Sequence, residues 1–134
     1  MKVAWNSRYD TGLRVIDDQH RELFAVVGRF RRLAQTGAAR SEVETLLGEL
    51  VACSERHFAT EEAIMSQFAY PDLSQHVSEH ITMLASLREL LVGFRESQQS
   101  TALLVPALME GWLKHHVSDG DFGFVTFLKA HNLA

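Results

Sequence analysis

Two short stretches place metal-binding side chains at helical spacing. His57 and Glu61 lie four residues apart, and so do His76 and His80. Residues at positions i and i+4 share one face of an α-helix. Imidazole and carboxylate groups bind iron, zinc, manganese and copper, so each pair could supply part of a metal site. Either pair alone is weak evidence, because a single buried histidine is more often a hydrogen-bonded core residue.

Four helical segments are needed to position these side chains. The helical spacing of apolar residues, the breaks in that spacing and a capping box at Ser41 and Glu44 predict four helices. They run from Asp17 or Asp18 to Gln35, from Ser41 to about Phe68, from the turn of Pro71 to Gly93–Ser97, and from about Thr101 to near Gly120. We therefore expect an all-α fold, an up-down-up-down four-helix bundle. An N-terminal arm would precede it, and a short helical tail at 122–128 would follow it.

Seven polar residues fall on the inner faces of these helices. A buried polar group without a partner costs roughly 2–7 kcal/mol, so this number of buried groups requires compensation. A metal centre in the core of the bundle would provide it. In chain order the candidate ligands are His20, His57, Glu61, His76, His80, His116 and Asp121.

This ligand set is too large for one ion and suits two six-coordinate ions. Five histidines and two bridging carboxylates fill nine of twelve coordination positions. A bridging oxo or hydroxo group fills two more, which leaves one position for a small exogenous ligand. Since Cys53 is the only cysteine, a structural zinc site built on thiolates is disfavoured. Cys53 itself is interpreted as a small buried apolar residue, with a redox or ligand role as the less favoured alternative.

Composition excludes several other classes of protein. The chain has 134 residues, a formal net charge of −4 and 46% hydrophobic residues, which fits one globular domain spanning 1–134. Scattered basic residues do not favour nucleic-acid binding. No stretch resembles a secretory signal or a membrane span, and the single cysteine fits a reducing compartment. We expect a cytoplasmic protein, monomeric, with an unknown protein partner.

Four sequence strings resemble the hemerythrin family, in particular its single-domain bacterial members. The strings are IDDQH at 16–20, HFATEEAIM at 57–65, YPDLSQHVSEH at 70–80 and WLKHHVSDGD at 112–121. The resemblance implies a non-haem di-iron centre, oxo- or hydroxo-bridged, that binds O2 reversibly. It implies that one iron is held by His76, His80 and His116. The other iron would be held by His20 and His57, and Glu61 and Asp121 would bridge the two irons.

The resemblance also implies an apolar O2 pocket beside the ligands. Plain core packing is the alternative for each lining residue. The candidates lie next to ligands or one helical turn away: Leu23, Phe58, Met65, Trp112 and Val117. His115 is adjacent to His116, about 100° around a helix, and should point away from the centre. The sequence departs from the family after Asp121, where Phe122-Gly123-Phe124 replaces the usual Lys and Tyr.

Four functions remain open for such a centre. Reversible O2 binding for storage, transport or delivery is favoured, and an enzyme is not expected. Activation of O2 or peroxide, or nitric oxide chemistry, is disfavoured because five neutral imidazoles stabilise highly oxidised iron less well than a carboxylate-rich set. O2 sensing would require a separate output partner, and iron storage would require a cage-forming assembly.

Overall fold

The computed structural model describes an all-α bundle. Its helices are α1 (Arg14–Thr36), α2 (Arg40–Gln67), α3 (Leu73–Ser97) and α4 (Phe122–Ala130). Five further residues, which we call the His116 segment, are also helical: Met109, Gly111, Trp112, His115 and His116. The described residues are 11–36, 40–97, 109, 111–112, 115–116 and 122–131, and they contain no strand.

The predicted all-α helical bundle and its short C-terminal helix are confirmed. α1 packs on α2, and α2 packs on α3. Three parts of the prediction lie outside the described residues: residues 1–10 of the N-terminal arm, the two ends of the fourth bundle helix, and the side chains of Val117 and Asp121. No helix in the described ranges has the length and apolar character that a membrane crossing requires.

The first helix begins earlier than its carboxylates suggest. Asp17 lies in the first turn of α1, not at its start. Its Oδ1 accepts hydrogen bonds from the backbone N–H of Thr11 (2.9 Å) and from the Thr11 hydroxyl (2.7 Å), and Oδ2 accepts from the N–H of Gly12 (3.2 Å). Asp17 is thereby buried, and it fixes the chain that leads into the helix. Because this carboxylate reaches back to residues before the helix, the predicted boundary was three residues late.

The connection between α2 and α3 is a compact turn at 68–72. Ala69 adopts a left-handed conformation with φ of 53°. The N–H of Tyr70 bonds to the carbonyl of Met65 (3.0 Å), and that of Ala69 bonds to the carbonyl of Ser66 (3.1 Å). This pair of bonds is the Schellman ending of a helix. It fixes the direction in which the chain leaves α2, and hence the angle at which α3 returns.

Two helix starts differ slightly from prediction. α2 begins at Arg40, so Ser41 lies inside the helix and does not cap it. α3 begins at Leu73, and Pro71 lies in the preceding turn instead of in the first helical turn. Differences of one or two residues between predicted and observed helix boundaries do not change which helix faces point inward.

Two apolar clusters lie on either side of the candidate site. The large cluster includes Leu23 and Phe58 and extends through α1, α2 and α3 to Met109. The small cluster consists of Met65, Tyr70, Phe124 and Leu128, with partly buried residues around it. α4 closes the bundle here, because Phe124 packs edge-on against Tyr70 with ring centroids 5.0 Å apart. The polar residues of α2 therefore lie between two dry regions.

Candidate metal centre

Six of the seven predicted ligands are described, and all six are buried at one place. Each is at most 4% exposed to solvent: His20, His57, Glu61, His76, His80 and His116. The seventh, Asp121, lies outside the described residues. The residues come from α1, α2, α3 and the His116 segment, which is the described part of the fourth bundle helix. Each of the four bundle helices therefore contributes.

Their donor atoms form two overlapping groups. Within each group the atoms lie within 4.8 Å of one another. The first group consists of His20, His57, Glu61 and His116, and the second of Glu61, His76, His80 and His116. Glu61 and His116 belong to both groups, so the two groups are adjacent, and each could hold a metal ion.

The carboxylate of Glu61 faces both groups. Its Oε2 lies 3.3 Å from Nε2 of His57 and 3.8 Å from Nε2 of His20. Its Oε1 lies 3.2 Å from Nε2 of His80 and 3.2 Å from Nε2 of His116. A carboxylate whose two oxygens face different sets of donors is arranged to bridge two cations.

A chain of hydrogen bonds determines the protonation of His57. The hydroxyl of Thr60 donates to the carbonyl of Arg56 (2.9 Å), and Nε2 of Gln19 donates to Thr60 (3.1 Å). The amide oxygen of Gln19 therefore faces Nδ1 of His57, at 3.0 Å, and can only accept. Nδ1 of His57 therefore carries a proton, and Nε2 faces both Nε2 of His116 (3.1 Å) and Oε2 of Glu61 (3.3 Å). Burial also lowers the pKa of His57, an effect that the Glu61 carboxylate opposes, and this favours the neutral ring.

The protonation of His80 follows from a carboxylate. Nδ1 of His80 lies 2.7 Å from Oε2 of Glu62, and an ionised carboxylate only accepts hydrogen bonds. Nδ1 therefore carries a proton, and Nε2 faces inward, 3.2 Å from Oε1 of Glu61. Within the described part of the chain this Nε2 makes no hydrogen bond.

These donors fit a cation. Nε2 of His57 lies 3.3 Å from one oxygen of Glu61 and 3.1 Å from Nε2 of His116, and Nε2 of His80 lies 3.2 Å from the other oxygen of Glu61. Nitrogen and oxygen lone pairs repel when no proton lies between them, and a metal ion bound by both atoms removes that repulsion. A set of imidazoles and carboxylate suits iron, zinc or manganese. The residues therefore fit the metal that the donor chemistry implies.

Aromatic rings lie against two of the ligands. Phe58 stacks on His80, with centroids 4.0 Å apart and an interplanar angle of 5°. Trp112 stacks on His116, at 4.5 Å and 11°. Phe58 and Trp112 also contact each other edge-on at 5.2 Å. The two rings form a wall that restricts how the ligand imidazoles can turn.

The predicted pocket residues do not all lie in one cluster. Leu23, Phe58 and Trp112 belong to or pack against the large cluster. Met65 belongs to the small cluster and lies on the other side of Glu61 along α2. The structure therefore brings three of the five pocket candidates together, and Val117 is outside the described residues.

Cys53 is not grouped with the metal donors. Its thiol donates a hydrogen bond to Oε1 of Glu22 at 3.0 Å, and Arg56 pairs with the same carboxylate. Burial, followed by the bond to Glu22, raises the pKa of the Cys53 thiol to about 11. The group is therefore protonated at neutral pH, which supports the structural interpretation of this residue.

Sequence reasoning missed the groups behind the ligands. Gln19 and Glu62 hold the outer nitrogens of His57 and His80, and Thr60 orients Gln19. The sequence feature that could have pointed to them is their position next to predicted ligands, since Gln19 directly precedes His20 and Glu62 directly follows Glu61. His115 is exposed whereas His116 is buried, as predicted from the helical register.

Comparisons with known proteins agree with this site. A family model described as the hemerythrin HHE cation binding domain matches residues 11–128. The chain is 27% identical to a bacteriohemerythrin of Stenotrophomonas maltophilia, over 96% of this chain and 83% of that one. It is 28% identical to a bacteriohemerythrin of Pseudomonas aeruginosa (92% and 79% covered) and 27% identical to one of Methylococcus capsulatus (89% and 91%). Together with the buried histidine and glutamate cluster, the match over most of its length shows that the chain belongs to the hemerythrin family.

Proposed function

We propose that this chain binds O2 reversibly at a non-haem di-iron centre and serves in O2 storage, transport or delivery. The observation that supports the proposal most directly is the position of Glu61, whose two oxygens face two different groups of histidines. Asp121 would add the second bridge, as the family resemblance implies. The same resemblance suggests an O2 carrier and not an enzyme, and the single cysteine fits a cytoplasmic location.

The ligand assignment follows the two donor groups. His76 and His80 would bind one iron, and His20 and His57 the other. His116 lies within reach of both groups, and the family resemblance assigns it to the iron that His76 and His80 bind. The ion with fewer histidines would keep an open coordination position. The iron pair would supply that position and the electrons for reversible O2 binding.

The chain's own residues would control access and protonation. Gln19 and Glu62 accept the hydrogen bonds from Nδ1–H of His57 and His80, so Nε2 of each imidazole remains directed inward toward a metal ion. Phe58, Trp112 and Leu23 would keep water away from the ligand site. A dry surrounding disfavours the charged products of O2 reduction, and this would favour release of O2 over irreversible oxidation.

Metal analysis combined with absorbance spectroscopy tests the proposal. Protein produced with ample iron should contain two irons per chain. The reduced protein should gain a visible absorbance band in air and lose it on degassing, over repeated cycles. One zinc and no iron would contradict the di-iron centre. Sustained turnover of peroxide or nitric oxide, without a reversible O2 complex, would contradict the carrier function and support an enzymatic one.

A further inference from the structure

The two histidines whose protonation the structure determines are held from behind by different chemical groups. Nδ1–H of His80 donates to the carboxylate of Glu62 at 2.7 Å. Nδ1–H of His57 donates to the neutral amide of Gln19 at 3.0 Å. Hydrogen bonds to ionised acceptors are shorter and roughly twice as strong as those between neutral groups. The two outer contacts therefore differ in strength as well as in charge.

An anionic acceptor changes the inner face of an imidazole. It draws the Nδ1 proton outward, and the electron density at Nε2 rises, which makes the ring a stronger metal ligand. The Glu62 side chain is only 33% exposed, and the His80 side chain only 1% exposed, so solvent screens this effect weakly. Gln19 orients His57 equally well but supplies no charge.

We propose that Glu62 is a positioning residue that makes His80 a stronger metal donor than His57. This inference rests on the proposed di-iron function. Through His80, the negative charge of Glu62 stabilises the positive charge of the ion that His80 binds.

A matched pair of variants isolates this role. Glu62→Gln keeps size and an accepting oxygen but removes the charge. Glu55→Gln is the control, because Glu55 also lies on α2 and joins it to α3 through Arg88 (3.1 Å), about two turns away from Glu62 and without contact to a site histidine. Both variants lose one negative charge from a contact between α2 and α3 and keep an oxygen that can accept a hydrogen bond.

Metal affinity and redox potential are the first measurements. Under anaerobic conditions, Glu62→Gln should bind Fe²⁺ and Zn²⁺ about 10- to 100-fold more weakly than the parent, as is typical when such outer partners are lost. The iron-loaded variant should also show a higher midpoint potential. Glu55→Gln should match the parent in both. If the two variants behave alike, Glu62 has no role beyond charge and helix packing, and the proposal is wrong.

Nitrogen and proton NMR of the Zn²⁺-loaded protein provides a separate readout. The Nδ1–H resonance of His80 should lie downfield of that of His57 in the parent and move upfield in Glu62→Gln only. A parent that binds Zn²⁺ but not two irons would contradict the proposed function while these two zinc-based tests still decide the role of Glu62. A parent that binds neither ion would contradict both proposals.

Discussion

The amide oxygen of Gln19 lies 3.0 Å from Nδ1 of His57, so a residue of α1 sets the orientation of a ligand on α2. Gln19 is itself fixed by a hydrogen bond to Thr60. The Thr60 hydroxyl in turn donates a hydrogen bond to the carbonyl of Arg56, one turn away on α2. The contact therefore joins two helices at the metal centre without contributing a ligand.

Removing this contact should weaken metal binding without unfolding the bundle. We expect Gln19→Ala to lower Fe²⁺ affinity by about 10-fold, because His57 can then rotate or change its tautomer. Gln19→Glu should retain or increase affinity, since a carboxylate also accepts from Nδ1. Anaerobic metal titration measures both effects. Equal losses in the two variants would mean that packing, and not the accepted hydrogen bond, is what matters.

His116 and its neighbour His115 provide an internal comparison. His116 is buried, belongs to both donor groups and stacks on Trp112, whereas His115 is exposed. Since metal binding and folding are coupled, His116→Ala should lose iron and lower the melting temperature. His115→Ala should change stability by less than about 0.5 kcal/mol. Metal content and thermal unfolding of both variants decide the assignment, and the opposite pattern would overturn it.

The left-handed residue after α2 offers a test of backbone strain. Ala69 has φ of 53°, a conformation that costs a residue with Cβ roughly 1–2 kcal/mol and costs glycine almost nothing. Ala69→Gly should therefore raise the free energy of unfolding by about 1 kcal/mol. Ala63→Gly, an exposed position inside α2, should lower it by about 0.5–1 kcal/mol. Urea unfolding compares the two, and destabilisation by both would argue against the strain at Ala69.

Cys53 should make stability depend on pH in the alkaline range. Its pKa is raised from 9.0 to about 11 by burial and by the bond to Glu22, so folding favours the protonated thiol. This contribution is fully present below pH 9 and is lost as the pH rises from 9 toward 11. The free energy of unfolding should therefore fall more between pH 8 and 10.5 in the parent than in Cys53→Ala. Identical pH profiles would show that the thiol is not held in this way.

The inner faces of the helices could be predicted because burial repeats with the helical period. The helical period predicts an inner face of α1 made of six residues, and all six are buried: Ile16, His20, Leu23, Phe24, Val27 and Phe30. The inner face of α3 was harder to predict, because apolar residues surround much of this helix. The period predicts an inner stripe that includes Leu84 and Leu91, but both are only partly buried, whereas Met83 and Phe94 lie outside that stripe and are buried.

The outer partners of the ligands could not be predicted in the same way. Gln19 reaches from α1 to α2, and Glu62 reaches from α2 to α3. Such contacts depend on how each helix is rotated relative to its neighbour, which the period of one helix does not specify. The end of α2 was predicted to within one residue, but its left-handed residue was not, because that position is occupied by alanine and not by the glycine that usually marks it.

The short turn at 68–72 has a consequence for the order in which the centre assembles. Four of the donors, His57, Glu61, His76 and His80, lie on the two helices that this turn connects. Closing a short loop costs less entropy than closing a long one, and α2 with α3 carries four donors whereas α1 with α2 carries three, so the α2–α3 hairpin is the part of the site that can form first. We expect a metal ion captured there to act as a template onto which α1 and the His116 segment dock. A peptide spanning 40–97 that gains helical circular dichroism when Zn²⁺ is added would support this order, and a peptide indifferent to Zn²⁺ would contradict it.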